Sequence, residues 1–285
     1  MTHAKPDLPG LERCELVVKG TRLRYFVGGE GPPLVLVHGL GGAASNWREL
    51  APLLARRRRV LVPELPGHGG SSPLPAAPTL TPYADRILAV AEREAMSPAP
   101  LVGHSMGGVV VVRAALLRPD AVSAVVLAGA AGIASATRRA KIALTILGLV
   151  QPGRRIAPHR RAVVRSRAGR YAAFWHWGAA DPAALPPAAA EGFLAGPLLH
   201  TDTLNAGRAL VADDPRPDLH TLRCPVLVLW GARDNQLPVD DAFDYARRLR
   251  APLRMIPDCG HLLIGERPDA CFDAIETFLN TSVVN

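Results

Sequence analysis

Residues 101–108 read LVGHSMGG, and the interpretation of the whole chain starts from this stretch. An apolar run leads into GHSMG at 103–107, which has the pattern G-x-S-x-G, and a helix-like segment continues to Leu117. Small residues two positions before and after the serine allow a strand and a helix to approach closely, so that the serine is exposed at a strained turn. The helix that begins there offers unpaired N–H groups and a positive dipole end. The pattern predicts a nucleophile at Ser105; the alternative is a simple Gly-rich turn.

Strand-like and helix-like segments alternate along most of the chain. Apolar runs typical of buried strands lie at 34–38, 59–64, 101–104, 122–128, 225–230 and 253–256, and a hairpin is expected over 15–27. Helices are expected at 47–57 (capped by Ser45 or Asn46), 82–96, 105–117, 239–249 and 270–279. This alternation predicts an α/β fold, in which a mostly parallel central sheet carries helices on both faces.

The alternation breaks between about Gly132 and Leu210, where the sequence is rich in Ala, Arg and Pro and lacks buried-strand runs. We expect a helical cap insertion there, above the carboxyl edge of the sheet. The predicted organisation is therefore a core formed by residues 1–131 and 211–285, with a helical cap over 132–210.

A serine needs a base and an orienting acid to become a good nucleophile. His261 follows the last predicted strand, and Asp234 follows the strand at 225–230, so both should reach the sheet edge that carries Ser105. The order Ser105, Asp234, His261 is the order expected for a strand–serine–helix arrangement of this kind. Asp240 and Asp241 are rival acids, but they lie inside the start of the next predicted helix.

Acyl transfer also needs N–H donors for the developing oxyanion. The N–H of Met106, next to the serine, is one candidate. Leu40, in the HGLGG stretch at 38–42, is the preferred second donor, with Gly41 as the alternative. Glycines at 39 and 41 let the backbone approach the substrate closely, although a plain turn is the simpler reading.

Composition favours a soluble globular protein, and the sequence shows no signature of a nucleic-acid-binding module. The net charge is +8, but the window 138–170 holds ten Lys or Arg and no acid, so the rest of the chain sums to about −2. Regularly spaced aromatics, zinc spacing and heptads are missing from the sequence, and its four cysteines fit no metal motif. The N-terminus lacks a signal-like run, and the longest apolar stretch in the middle is too short to span a bilayer. We therefore expect a cytoplasmic protein with no metal, no cofactor and no nucleic-acid partner; the oligomeric state stays open.

Five ordered motifs resemble the α/β-hydrolase superfamily, in particular its capped bacterial esterases and lipases: HGLGG at 38–42, PELPGHGGS at 63–71, GHSMGG at 103–108, PVLVLWGARD at 225–234 and CGH at 259–261. The resemblance covers most of the chain. It implies a catalytic triad of Ser105, Asp234 and His261, and an oxyanion hole formed by Leu40 and Met106. One departure is Glu64, where the family usually has Asp, in a position that is structural. Haloalkane dehalogenases and epoxide hydrolases are similar in layout but use Asp at the nucleophile position, where this chain has Ser105.

The substrate pocket is predicted less directly. Gly39, Gly41 and His104 lie beside the expected site, and Ile146 belongs to a cap helix with one apolar face. Trp175 and Trp177 form a second candidate lining patch in FWHW at 174–177. For both cap segments the alternative is ordinary packing against the core. The basic cap residues suggest weak contact with an anionic membrane or lipid surface, or simply a solvated face.

These residues lead to three functional hypotheses. The first is a serine carboxylesterase or lipase-like enzyme that acts on a small-molecule acyl ester through an acyl-enzyme. The second keeps the triad but cleaves a C–C bond, thioester or lactone, or transfers the acyl group. The third is a non-catalytic ligand-binding protein with the same fold, which the complete triad disfavours.

Overall fold

The computed structural model describes residues 8–75, 79–133, 152–175, 178–200 and 202–282. Within these ranges one eight-stranded sheet forms the centre of the molecule. Its strands are β1 (Glu12–Val18), β2 (Thr21–Gly28), β3 (Pro33–Val37), β4 (Arg59–Pro63), β5 (Ala99–His104), β6 (Val122–Ala128), β7 (Val226–Gly231) and β8 (Leu253–Ile256). Their order across the sheet is β1-β2-β4-β3-β5-β6-β7-β8.

The sheet is mostly parallel, as predicted. β1 pairs antiparallel with β2, and β2 pairs antiparallel with β4, whereas every pairing from β4 across to β8 is parallel. Parallel strands need crossover connections, which place helices on the two faces. The helices described are α1 (Leu50–Leu54), α2 (Thr81–Arg93), α3 (Met106–Leu117), α4 (Pro152–Ile156), α5 (Arg160–Val163), α6 (Arg167–Phe174), α7 (Pro187–Ala195), α8 (Thr203–Ala212), α9 (Val239–Leu249), α10 (Leu263–Glu266) and α11 (Pro268–Ser282).

Alternate residues of the central strands face two separate cores. In β6, Val125 and Leu127 belong to one buried cluster, while Val126 and Ala128 belong to the other. Successive side chains of a strand point to opposite faces, so a strand buried on both sides must be apolar throughout. This explains why the runs at 124–128 and 225–230 are continuously apolar rather than alternating.

The parallel pairing brings the carboxyl ends of the central strands to one edge of the sheet. β3 ends at Val37, β5 at His104 and β7 at Gly231, and each is followed by a loop that carries a predicted site residue. The loop after β8 leads to His261. The fold therefore gathers distant parts of the chain at this edge.

Helices α4 to α8 lie in the segment predicted as a cap. Apolar residues of this segment, among them Phe174, Leu185 and Ala190, form a third buried cluster together with Leu262 of the core. Leu262 is the neighbour of His261, so this cluster packs directly behind the predicted base. The apolar residues of α8 pack instead in the same buried cluster as Val125 and Leu127 of β6. The division at 132–210 stays a prediction; α8 continues to Ala212.

The helix expected at 47–57 is shorter and begins differently. A 3-10 turn over Ala44–Trp47 precedes α1, and the residue before that turn is Ala43. Asn46 Oδ1 accepts the Ala43 N–H at 3.1 Å and so caps the 3-10 turn rather than α1. Ser45 Oγ donates to the Gly192 carbonyl, in the segment predicted as a cap, at 2.7 Å. For Ser45 a tertiary contact therefore replaces the local role that the sequence suggested.

Glu64, the departure from the family pattern, is completely enclosed by hydrogen bonds. Its carboxylate lies 2.6 Å from Arg24 Nε, and the two side chains are 1% and 3% exposed. It also accepts the N–H groups of Gly70 at 2.6 Å and Ala44 at 3.3 Å. The pair thus ties the β4 loop to β2 and to the turn before α1.

Replacing Glu64 with Gln should lower the free energy of unfolding by about 3 kcal/mol or more, because a buried guanidinium loses its counter-charge. The matched control is the exposed pair of Arg22 and Glu15, each about half exposed. Glu15→Gln should change the free energy of unfolding by less than about 1 kcal/mol. Urea denaturation of both variants measures the difference. Equal losses in the two variants would show that the buried pair of Glu64 and Arg24 stabilises the fold no more than an exposed pair does.

The four cysteines are free thiols. Within the described ranges, no helix is both long and apolar enough to cross a membrane. The cytoplasmic location stays a prediction.

Candidate active site

Ser105 occupies the sharp turn between β5 and α3. Its φ of 54° and ψ of −121° lie in a region that residues with a Cβ rarely adopt. The turn is held by its own backbone: Ser105 N–H donates to the Ala128 carbonyl at 3.1 Å, and its carbonyl accepts from Gly108 N at 2.9 Å. The strained conformation places the hydroxyl at the start of α3.

The glycines of the motif are required by distance. A Cβ at Gly103 would lie 2.3 Å from the Gly107 carbonyl oxygen, and one at Gly107 would lie 2.3 Å from the Val37 carbonyl oxygen. At Gly108 the added atom would lie 2.4 Å from the Ala130 Cβ. Helix α3 can therefore pack this closely onto β3 and β5 only because these positions lack side chains.

His261 and Asp234 form a buried pair at the same sheet edge. His261 Nδ1 lies 2.8 Å from Asp234 Oδ2, and the two side chains are 4% and 0% exposed. The other carboxylate oxygen accepts the N–H groups of Gln236 and Leu237, both at 2.9 Å. Because Nδ1 donates its proton to the carboxylate, Nε2 carries the lone pair that can accept a proton.

The Ser105 turn and this pair are neighbours. The carbonyl of Ala128 anchors Ser105, and a Cβ on the next residue, Gly129, would lie only 3.4 Å from His261 Nδ1. Among the described residues, Ser105 Oγ has no hydrogen-bond partner. Bonds between a nucleophile and its base are often long in the free protein and shorten when substrate is bound.

Two further contacts hold the His261 backbone. Its N–H donates to the Gly178 carbonyl, and its carbonyl accepts from His104 Nε2 at 2.9 Å. Burial lowers the pKa of His104 to about 3, so this ring stays neutral at ordinary pH. His104 therefore lies beneath the predicted base, with 4% exposure, and supports it from the core side.

Glu266 also supports the His261 loop, and sequence reasoning missed it. Its carboxylate accepts Gly260 N–H at 3.1 Å and Ala180 N–H at 2.8 Å, and burial raises its pKa. It thus links the loop before His261 to the cap. No pattern in the sequence marks this role, because a glutamate in the turn before a helix usually faces solvent.

The two predicted oxyanion donors share one arrangement. Neither the Leu40 nor the Met106 N–H has an acceptor among the described residues. Each belongs to a peptide whose carbonyl accepts two hydrogen bonds: Ser105 O from Gly108 and Ala131 N–H at 2.9 and 3.0 Å, and Gly39 O from Gly42 N–H at 3.1 Å and His38 Nδ1 at 2.9 Å. Such bonds fix the peptide planes and polarise the free N–H groups.

His38 is held in the tautomer that this arrangement requires. Its Nε2 accepts the Leu65 N–H at 3.1 Å, so Nδ1 carries the proton that is donated to Gly39 O. Burial lowers its pKa to about 3, and the ring is 0% exposed. Gly39 in turn lies against the serine, since a Cβ there would be 2.8 Å from Ser105 Cβ.

The remaining predicted pocket residues divide into two groups. Gly41, with φ of +69°, lies beside Leu40 in the predicted oxyanion loop, residues 38–42. Trp175 is 53% exposed at the end of α6 and stacks on Tyr171 with the ring centres 6.4 Å apart. Ile146 and Trp177 lie outside the described residues.

Two known proteins are similar in sequence to this chain over most of its length. The dihydrolipoyllysine-residue acetyltransferase component of the acetoin cleaving system from Pseudomonas putida is 32% identical over 279 residues, covering 95% of this chain and 70% of that protein. The pimeloyl-(acyl-carrier protein) methyl ester esterase of Aromatoleum aromaticum is 32% identical over 256 residues, covering 86% of this chain and 97% of that enzyme.

Solved structures agree on the fold. The enol-lactonase of Burkholderia xenovorans superposes with a TM-score of 0.75 at 24% identity, covering 94% of this chain and all of that one. The profile of the alpha/beta hydrolase fold matches residues 32–268, a span that runs from β3 past α10. Since that match takes in the serine turn, the acid after β7 and the histidine after β8, the chain belongs to the α/β-hydrolase family.

Proposed function

We propose that this protein is a serine hydrolase that cleaves carboxylic esters through an acyl-enzyme intermediate. The observation that carries the proposal is the buried bond of 2.8 Å between His261 Nδ1 and Asp234 Oδ2 at the sheet edge that carries Ser105. A carboxylate at Nδ1 leaves Nε2 as the only proton acceptor on the ring. A residue that served packing alone would not need this pairing beside a strained serine.

The proposed reaction has two steps, acylation of Ser105 and hydrolysis of the acyl-enzyme, and His261 acts as base and then as acid in each. Ser105 Oγ attacks the ester carbonyl while His261 Nε2 takes its proton, and Asp234 stabilises the imidazolium that forms. The oxyanion accepts hydrogen bonds from the N–H groups of Leu40 and Met106. His261 then protonates the leaving alcohol, and water, activated by the same nitrogen, releases the acid and restores the serine.

The proposal that the substrate is an ester is supported by the family and by the members of it that are similar to this chain. A methyl ester esterase that matches 86% of this chain supports ester chemistry, and the acyl substrate is proposed to be of small to medium size. Gly39 and Gly41 are proposed to contact it through the backbone. His104 is proposed to act from beneath the site, because its ring is buried against His261.

Covalent labelling tests the proposal without knowledge of the natural substrate. A fluorophosphonate should add one equivalent to the native protein, and peptide mass spectrometry should place it on Ser105 and not on the exposed Ser97. Hydrolysis of p-nitrophenyl acetate, butyrate and octanoate should then vanish in proportion to labelling. A native protein that neither reacts with the fluorophosphonate nor hydrolyses any of these esters would leave a ligand-binding role as the better account.

A further inference from the structure

His200 is a cap residue that reaches two loops of the core. Its Nε2 lies 2.7 Å from the carbonyl oxygen of Gly41, and its Nδ1 accepts the Gly69 N–H at 3.1 Å. Because Nδ1 accepts a backbone N–H, the ring proton must be on Nε2, which therefore donates to Gly41. Both ring nitrogens are thus committed to the backbone of the core.

The Gly41 carbonyl is one step from the predicted oxyanion donor. It belongs to the same peptide as the Gly42 N–H, which donates to Gly39 O at 3.1 Å. Gly39 O in turn belongs to the same peptide as the Leu40 N–H. A continuous chain of hydrogen bonds therefore runs from His200 through two peptides to the Leu40 N–H, and each bond in such a chain strengthens the next.

Three glycines in residues 38–42 leave the backbone of this loop with more conformational freedom than other residues would have, so its shape depends on its hydrogen bonds. Gly39, Gly41 and Gly42 carry no side chain, and Gly41 has a positive φ. His38 fixes the Gly39 peptide from the core side, as described above, but the Gly41 peptide receives its hydrogen bond from the cap. Two histidines, one from each part of the molecule, thus hold the two peptides of the loop.

The cap segment that carries His200 is itself attached to the core. Asp202 N–H donates to the Gly67 carbonyl of the core at 3.0 Å, and within the cap segment Arg154 donates to the His200 carbonyl at 2.7 Å. The His200 ring packs edge-on against His68, with 5.4 Å between ring centres. The ring is therefore held in place by its own neighbours and does not depend on Gly41 to order it.

We propose that His200 is a positioning residue for the oxyanion hole, supplied by the cap, which aligns the Leu40 N–H through the Gly41 and Gly39 peptides. The inference rests on the proposed function, since it assigns a role within that reaction. In this proposal the position of the cap relative to the core contributes to stabilisation of the transition state. A shift of the cap would lower kcat and leave substrate affinity nearly unchanged, because an oxyanion forms only after attack.

Two substitutions at one position separate this role from packing. Gln places a donor near the Nε2 position, whereas Asn is too short to reach Gly41 and retains only a group near Nδ1. We expect His200→Asn to lower kcat roughly tenfold with KM within about twofold, a smaller loss than the 10²–10³-fold of removing an oxyanion donor itself. His200→Gln should recover most of that loss. His159→Asn, at an exposed histidine of the same cap, should match the parent protein.

A trifluoromethyl ketone provides the second readout. It forms a hemiketal oxyanion on the serine, so its inhibition constant should rise in His200→Asn by the same factor by which kcat falls. Binding of a product carboxylic acid should not change. A variant whose structure is only loosened would bind both the ketone and the product acid more weakly, and its KM would rise as well.

The outcomes decide between the hypotheses. Unchanged kcat in a folded His200→Asn protein, or equal losses in the Asn and Gln variants, would overturn the role of His200 while the esterase proposal stands on Ser105. If His200→Asn does not fold, NMR of the ¹⁵N-histidine-labelled parent protein decides, with the His200 signals assigned by their loss in His200→Gln. A proton on Nδ1 rather than Nε2 would refute the inference.

Discussion

Ser105→Ala should lower kcat/KM for p-nitrophenyl esters by about 10⁵-fold or more, because it removes the hydroxyl on which the proposed acyl-enzyme forms. The melting temperature should stay within a few degrees of the parent value. Alanine keeps the Cβ that lies beside Gly39 and adds no new contact, and the positive φ of 54° is the same for both residues. Ester hydrolysis and thermal denaturation of the same preparation measure the two effects.

The control for this variant is Ser123→Ala in β6, a partly buried serine outside the site, which should keep full activity. Loss of activity together with loss of folding would not count, which is why both measurements use one preparation. If Ser105→Ala kept more than about a tenth of the activity, the nucleophile would have to be sought elsewhere. The fluorophosphonate would then label a different residue.

Mild acid should unfold the protein. Burial lowers the pKa of His38, His68, His104 and His200 to about 3, from an ordinary value of 6.5. The unfolded chain takes up these protons as the pH falls below 6.5, but the folded chain does not, so stability is complete above pH 6.5 and falls below it. Four such groups together cost roughly 8 kcal/mol at pH 5, which is comparable to the whole stability of a typical domain.

Urea denaturation at pH 7.5, 6.5, 6.0 and 5.5 measures this loss. Glu266, whose pKa burial raises, acts in the opposite direction but is a single group. His68→Asn keeps a donor near the position of Nδ1, which binds the Pro66 carbonyl, and should reduce the slope by about 1.4 kcal/mol per pH unit. Equal denaturation midpoints at pH 7.5 and 5.5 would show that the folded state does take up these protons.

Ser105 shows how far local sequence reaches. A serine with glycines two positions away on either side, between an apolar strand and a helix, has few other conformations available, and the structure places it at a strained turn. The strand at 122–128 agrees with prediction for a related reason, since its stretch 124–128 is buried on both faces and must be apolar throughout. The bounds of β8 at 253–256 also agree, but that strand is only partly buried, with Arg254 exposed. The helix expected at 47–57 is present but covers only Leu50–Leu54, and the cap predicted at Ser45 is not formed because its hydroxyl binds Gly192, 147 residues distant.

The sequence alone determined the sheet, the order of its motifs and the identity of the candidate nucleophile, acid and base. Those features depend on short-range patterns: apolar runs, glycine spacing and the position of a polar residue just after a strand. Only the tertiary structure decided what surrounds them, including the buried Glu266, the His38 and His200 bonds to the oxyanion loop, and the neutral state of four histidines. These depend on burial and on contacts between residues far apart in the chain, and no local pattern encodes how deeply a side chain is removed from water.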